Sequence, residues 1–596
     1  MIPCPPEPLR RYALVADGER GAVTGPHGEI AFLCIPRWHD DAVFSSLLGG
    51  EGGYVVAPVG ALAVHGGSYL PGTLVWTDRW VTADGVVECQ QALAMPADPH
   101  RVVLLRRIRS VDAGVRVAAT LECRAGFGAE PMVLSGRVAE SWEATTGGLH
   151  LRWSGAADAR PDGGALRLEL GLRPGEEHDL VLEIADHPLD APPPDPEPAW
   201  ERTLQVWRDE VPALTDSVAP AESRHSYAVL RGLTAGTGAM VAAATTSLPE
   251  QVEQGRNYDY RFAWVRDQCL VGQALAAVGG NPLLDGAVRV VADRLLEDGD
   301  HLYPAYTVDG DPVPRPRSLD LPGYPGGADP HVGNRVHDQF QLDAYGEALL
   351  LLAAADELGR IDARGWRAAE SAAESIARLH ERPDAGIWEL DDRLWTHSRL
   401  VCAAGLRAVA ARPAARSGAD RLIALADRLV ADASRTCLHP TGRWQRAPDV
   451  PGTDSALLRP AVRGALPEDD PRTVATWRSV LEELTEDGYV YRFRHGDRPL
   501  GETEGAFLLC GFHLALATHQ QGNHAVALRL FERTRGAVGP PGLFTEEYDV
   551  AQRQLRGNLP QAFAHGALIE AAHRLADPAP GTGRPHRKEE TAWPDA

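Results

Sequence analysis

The chain has 596 residues, 44% hydrophobic and 24% charged, a balance typical of soluble globular proteins and a length that suggests about two to four domains. Its formal net charge of -23 argues against polyanionic partners, nucleic acid and anionic membrane surfaces alike, and favours a neutral ligand. The opening Met1-Ile2-Pro3-Cys4-Pro5-Pro6-Glu7 lacks a basic region followed by an apolar run, and no stretch of about eighteen apolar residues follows, so a cytoplasmic location is expected.

From about residue 10 to 185 the chain reads as β-structure. Short apolar or alternating runs, among them Ile30 to Ile35, Thr73 to Val81, Val102 to Ile108 and Leu180 to Ile184, are separated by turn sequences such as Ala83-Asp84-Gly85. That spacing predicts a large antiparallel sandwich, assigned to residues 1–185, with no cluster of catalytic residue types in it. The proline-rich Asp186 to Pro198 cannot continue a strand ladder and reads as a stiff spacer opening a linker at 186–220.

Beyond Ala221 apolar residues recur at helical spacing, as in Ser371 to Leu379, Asp420 to Val430, Val474 to Leu484, Gly505 to Ala517 and Ala525 to Phe531. Helices joined by Gly/Pro/Trp-rich loops without strand alternation predict helical hairpins closed into an α/α barrel over 221–576 or stacked as a solenoid. The absence of a fixed-period repeat weakens the solenoid. Residues 577–596, rich in Pro, Gly and charge, read as a disordered tail. The eight cysteines show no CxxC pairs and mostly sit in apolar runs, so buried thiols are expected rather than disulfides.

The chemistry concentrates in loops of the helical half. Arg256 to Asp267 interleaves arginines, aromatics and aspartates just before the apolar helix from Cys269 to Val278, a costly arrangement unless it binds something polar and flat-faced, such as a sugar ring. Further polar and aromatic clusters are Asp384 to Glu389, Tyr489 to Phe493, Glu502 to Gly505 and Gly542 to Tyr548. Loops at one end of a helical barrel converge, so two carboxylates from different loops could face each other as acetal cleavage requires. Trp264, Arg266 and Asp267 suit sugar hydroxyls and the C–H face of a ring. Taken singly, each signal has a plainer reading. Trp388-Glu389 could be a helix-end Glu beside a core Trp, Arg266-Asp267 an ion pair, and Glu546-Glu547 a solvated surface pair. His397, His513 and His565 lie on apolar faces without metal spacing and read as core residues. No metal or cofactor is expected.

Several ordered segments resemble glycoside hydrolase family 15, the glucoamylase-type and bacterial trehalase-type glucosidases. They include Tyr12-Ala13-Leu14, Ala244 to Glu250, the Arg256 to Asp267 stretch, Gln339 to Glu347, Glu504 to Cys510 and Gly557 to Phe563. The resemblance implies a β-sandwich followed by an (α/α)6 barrel and an inverting hydrolysis that releases β-glucose without metal chemistry. It implies Glu389 as general acid and Glu546 as general base, with Glu547 the adjacent competitor. Tyr260, Trp264, Arg266, Asp267, Trp388, Arg492 and Glu504 would surround the terminal glucose. The sequence departs from the family after the acid, where Leu390 is followed by Asp391-Asp392-Arg393, and at Tyr258 and His513, which stand where Trp is frequent. These departures leave the leaving sugar open. The expected activity is an exo-acting α-glucosidase on malto- or isomalto-oligosaccharides, with trehalase as the alternative and a phosphorolytic enzyme or a silent glycan-binding protein as remoter ones.

Overall fold

The computed structural model describes residues 4–60, 62–251 and 255–577. Two eight-stranded antiparallel sheets occupy the N-terminal part. The first runs from the Ala13–Ala16 and Gly21–Thr24 hairpin to Val115–Glu122 and Ala165–Leu172, the second from Ala63–Tyr69 to Val133–Val138. Their facing side chains, among them Val15, Leu33, Trp80, Ile108, Leu121 and Trp153, form one apolar core. The opposite face of the first sheet is not solvated: Leu14, Ala16, Phe32 and Cys34 join a second core shared with the helical part. Strands buried on both faces lose the polar alternation of a half-exposed sheet, which is why Glu29–Cys34 is a nearly continuous apolar run.

The spacer expected from Asp186 is interrupted by helix α1, Pro196–Glu210. Pro196 and Pro198 fall in its first turn, where no backbone N–H is needed, and Asp195 caps it by accepting from the Glu197 amide. Trp200 and Trp207 then anchor it in the shared core. The tail expected from Asp577 lies, apart from that residue, outside the described residues.

Twelve further helices among the described residues alternate between an outer and an inner ring. The outer set is α2 (Pro220–Gly232), α4 (Pro282–Asp298), α6 (Ala363–Leu379), α8 (Ala419–Thr436), α10 (Pro471–Glu483) and α12 (His524–Arg535). The inner set is α3 (Val265–Ala277), α5 (Asp343–Glu357), α7 (Thr396–Ala410), the short α9 (Leu458–Val462), α11 (Leu508–Gln520) and α13 (Ala562–Arg574). Each inner helix packs on the next, and α13 returns to α3, closing an (α/α)6 barrel. Gly346 and Gly405 permit the tightest approach in the ring: a Cβ on Gly405 would lie 2.5 Å from the Gly346 carbonyl oxygen. Inner helices are buried on nearly every face and outer ones amphipathic, as their positions demand.

The two parts are riveted through Arg261, which is fully buried. Its guanidinium pairs with Asp259 at 2.7 Å and donates to the carbonyls of Asp40 at 2.7 Å and Trp38 at 3.3 Å in the sandwich. Asp259 is further satisfied by the Gly333 amide at 2.8 Å. Removing one partner of a buried ion pair strands the other charge, so Arg261→Met is expected to destabilise the protein by about 3–5 kcal/mol, read as a lowered midpoint in urea unfolding.

Candidate active site

The loops that enter the N-terminal ends of the inner helices surround a cavity of about 630 Å³, within the usual range for a small ligand. Glu389, from the loop before α7, and Glu546, from the loop before α13, both line it, although 157 positions separate them. The Arg256 to Asp267 stretch holds both. Trp264 donates its indole N–H to Glu389 Oε1 at 2.8 Å, and Tyr260 donates its hydroxyl to Glu546 Oε2 at 2.7 Å. The two rings meet edge to face with centroids 5.5 Å apart, so the separation of the carboxylates is tied to one rigid aromatic pair.

Glu389 sits on a strained turn, with φ of 54°. The buried Asp384 braces it, accepting from the Leu342 and Gly386 amides, both at 3.1 Å, and from the Ser398 hydroxyl at 2.8 Å. Arg266 adds two contacts to Glu389 Oε1 at 3.3 Å, so every donor on this side chain meets one oxygen and Oε2 is left for the cavity. Trp388, beside it, donates to Asp454 at 2.9 Å and lies under the Arg492 guanidinium, 5.4 Å from its ring centre.

Glu546 belongs to a dense charge cluster. Burial pushes its carboxyl well above the usual range, reinforced by Glu250 and Glu547 and opposed by the Tyr260 hydrogen bond and Arg492. Glu547 does not compete for the cavity: it is fully buried, accepts from the Gly505 amide at 2.7 Å and turns its other oxygen towards Arg256 at 3.8 Å. Adjacent residues at the start of the short strand Glu547–Asp549 point to opposite sides, which separates the two glutamates.

Six of the nine expected site residues line the cavity: Tyr260, Arg266, Trp388, Glu389, Arg492 and Glu546. Trp264, Asp267 and Glu504 stand behind the lining. Glu504, expected to touch the sugar, is instead consumed by Arg492, by Arg256 at 3.3 Å and by His495 at 3.0 Å. Those partners hold its carboxyl below the ordinary range against the cost of its burial. The physical reason is pairing: two guanidiniums and the His495 ring converge on Glu504, so its oxygens face protein. Glu250, Arg256 and Tyr258 also lie on the lining: Arg256 and Tyr258 belong to the stretch singled out from sequence without being assigned to the site, and Glu250 was missed. Glu250 closed a motif already singled out, but a lone Glu after Pro249 carries no signal of its own. Asp391 and Asp392 are exposed and off the lining, so the departure after the acid leaves the cavity wall itself unchanged. His397, His513 and His565 are buried, and burial depresses all three. Among the described residues no group of three or more His, Cys, Asp or Glu could hold a metal ion, and no helix is long and apolar enough to cross a membrane.

Behind Arg266, burial pushes Asp267 up to about 6 and Asp343 up to about 7, with Arg266 pulling both the other way. Both Asp343 oxygens lack a partner. A carboxyl raised from 3.8 to about 7 on folding gives stability that is complete below the lower value and lost as pH climbs through the higher one. Asp343→Asn should therefore gain on the wild type in thermal melts across that window. A pH-independent difference would count against this reading.

The family model described as Glycosyl hydrolases family 15 matches residues 226–573, and one described as Trehalase-like, N-terminal matches residues 4–150. A trehalase of Mycobacterium tuberculosis is 29% identical over 617 residues, spanning 95% of this chain and 89% of its own. One of Mycolicibacterium smegmatis is 29% identical over 608 residues, spanning 95% and 90%. Among solved structures, a bacterial glucoamylase complexed with acarbose shares the fold with a TM-score of 0.70 at 13% identity, covering 96% of this chain and 95% of that one. A family match over more than half of the chain, on a barrel whose cavity brings two loop-borne glutamates together, places this protein in glycoside hydrolase family 15 as a glycoside hydrolase.

Proposed function

We propose that the enzyme is an inverting α-glucosidase whose substrate is α,α-trehalose. The observation that carries the chemistry is the pair Glu389 and Glu546 on one cavity, each with one oxygen engaged and one left for reaction. Glu546, with Oε2 held by Tyr260, presents Oε1 to a water and takes its proton as that water attacks the anomeric carbon. Glu389 delivers a proton from Oε2 to the glycosidic oxygen as the bond to the leaving sugar breaks. Arg266, buried and aimed at the floor, supplies N–H donors for the hydroxyls of the terminal glucose, and in engaging them it slackens its grip on Glu389.

The likeness to two proteins named trehalase over nearly the whole chain favours trehalose over the malto- and isomalto-oligosaccharides ranked first from sequence. Tyr258 suits the leaving glucose. It is 40% exposed, lines the cavity and lies parallel to Tyr260 at 6.4 Å, an aromatic platform on the solvent side of the reacting pair. A longer glucan as substrate is the second reading, supported by the fold shared with a bacterial glucoamylase.

Three measurements test this. Turnover of trehalose should exceed that of maltose, isomaltose and soluble starch in a parallel panel, and the reverse ranking would return the oligosaccharides to first place. Inversion at one carbon of trehalose yields one β-glucose and leaves the departing glucose α, so proton NMR should detect equal amounts at first. Retention would give the α anomer alone. Glu389→Gln and Glu546→Gln should each lower kcat by about 10²–10⁴-fold, and full activity in either would remove its assigned role.

A further inference from the structure

A third carboxylate stands beside the reacting pair. Glu250 is 4% exposed, lines the cavity and shares the Tyr260 hydroxyl with Glu546. The Tyr260 hydroxyl is 3.2 Å from Glu250 Oε1 and 2.7 Å from Glu546 Oε2. A phenol has one proton to donate, so it cannot satisfy two ionised carboxylates at once. Both contacts are hydrogen bonds only when one of the two carboxyls carries a proton of its own and donates it to the phenol oxygen.

The surroundings impose the same requirement. Glu250, Glu504, Glu546 and Glu547 are four buried carboxyls, faced by the guanidiniums of Arg256 and Arg492 and by His495, whose contact is to Glu504. Arg256 reaches Glu250 Oε2 at 3.1 Å, and Tyr258 and Arg492 also feel its charge. Two guanidiniums do not balance four carboxylates in a water-poor cluster, so the cluster retains a proton. The backbone keeps Glu250 from turning away: the Gly557 amide donates to the Pro249 carbonyl at 2.8 Å and the Glu250 amide to the Arg256 carbonyl at 2.9 Å. Gly557 takes the left-handed conformation that favours glycine, with φ of 84°, and its backbone lies close to both acids, the place of a Cβ being 3.5 Å from Glu250 Cγ and 3.9 Å from Glu546 Cβ.

We infer that Glu250 is a positioning residue for the reaction, the partner that takes the shared proton through Tyr260 and so keeps Glu546 ionised as the base. In the transfer, Glu546 gives its carboxyl proton to the Tyr260 oxygen while Tyr260 gives its hydroxyl proton to Glu250 Oε1. Tyrosine ends neutral, Glu546 anionic and Glu250 protonated. The base is then free to accept the proton of the attacking water, and the cluster returns one proton to solvent as product leaves. This rests on the role of Glu546 given above.

The test is the pH dependence of kcat/KM for trehalose and an aryl α-glucoside. Glu250→Gln places a permanent neutral donor against Tyr260 and removes the arrangement in which Glu250 is ionised and Glu546 holds the shared proton, so the acidic limb should move down by about one pH unit with the plateau kept within about tenfold. Tyr260→Phe cuts the link and should move the limb up, and in the Tyr260→Phe background Glu250→Gln should lose most of its effect. A Glu250→Gln profile that superposes on the wild type, or a uniform loss with no shift, overturns the inference. Should that variant not fold, the Tyr260→Phe limb decides alone, and an unmoved limb overturns it. Full activity in Glu546→Gln would sink the base assignment first and this inference with it. A wild type inactive on both glucosides would shift the decision to infrared difference spectra at neutral pH. There, loss of a protonated-carboxyl band in Glu250→Gln supports the shared proton, and loss of an ionised carboxylate alone overturns it.

Discussion

The pocket hangs on the buried ion pair between Asp259 and Arg261. Two charges withdrawn from water are expensive, and the cost is offset only where the remaining donors and acceptors are met. Here Arg261 finds two sandwich carbonyls and Asp259 a backbone amide from the Gly333 turn. Tyr260, between the two charges in the chain, and Trp264, three residues after Arg261, are the side chains that hold Glu546 and Glu389. The sandwich is therefore part of the active-site support, although none of its residues lines the cavity.

From that anchor outward the site trades stability for chemistry. Asp267 and Asp343 are pushed up to about 6 and 7, and burial among like charges also raises Glu546 and Glu547 well above the usual carboxylate range. A fold under pressure for stability alone would replace such groups with apolar ones of similar size. They persist around a cavity lined by two loop-borne glutamates, and neighbouring charge is the means by which a protein sets carboxyls apart in their hold on a proton. The barrel supplies the rest of the support: Glu347, fully buried in α5, is held at about 2, against burial, by Arg459 at 2.7 Å.

What could be read from sequence followed from exposure. Outer helices such as α6 and α8 are solvated on one side, so their apolar stripes repeat at helical spacing and were predicted. The inner helices α5, α7 and α13 are surrounded by protein and lack a polar face, so periodicity could not reveal them. Likewise Pro196 and Pro198 read as breakers because proline ends most elements, whereas at the first turn of α1 it begins one. The start of α11 shifts from Gly505 to Leu508 because Ala506 and Phe507 pair with Tyr548 and Glu547 as a short strand, a partner some forty residues away.

The sequence by itself determined the two-part architecture and the family, and it singled out the two glutamates that line one cavity, because each is written in local composition or in a short ordered motif. Only the tertiary structure decided which oxygen of Glu389 and of Glu546 is held by an aromatic donor, that Glu547 and Glu504 turn towards protein partners, and that Glu250 shares a tyrosine with Glu546. Those facts depend on contacts between loops up to about three hundred residues apart, such as Pro249 with Gly557, and on how many charges converge in a space that excludes water. Neither quantity has a signature in the order of residues along a single loop.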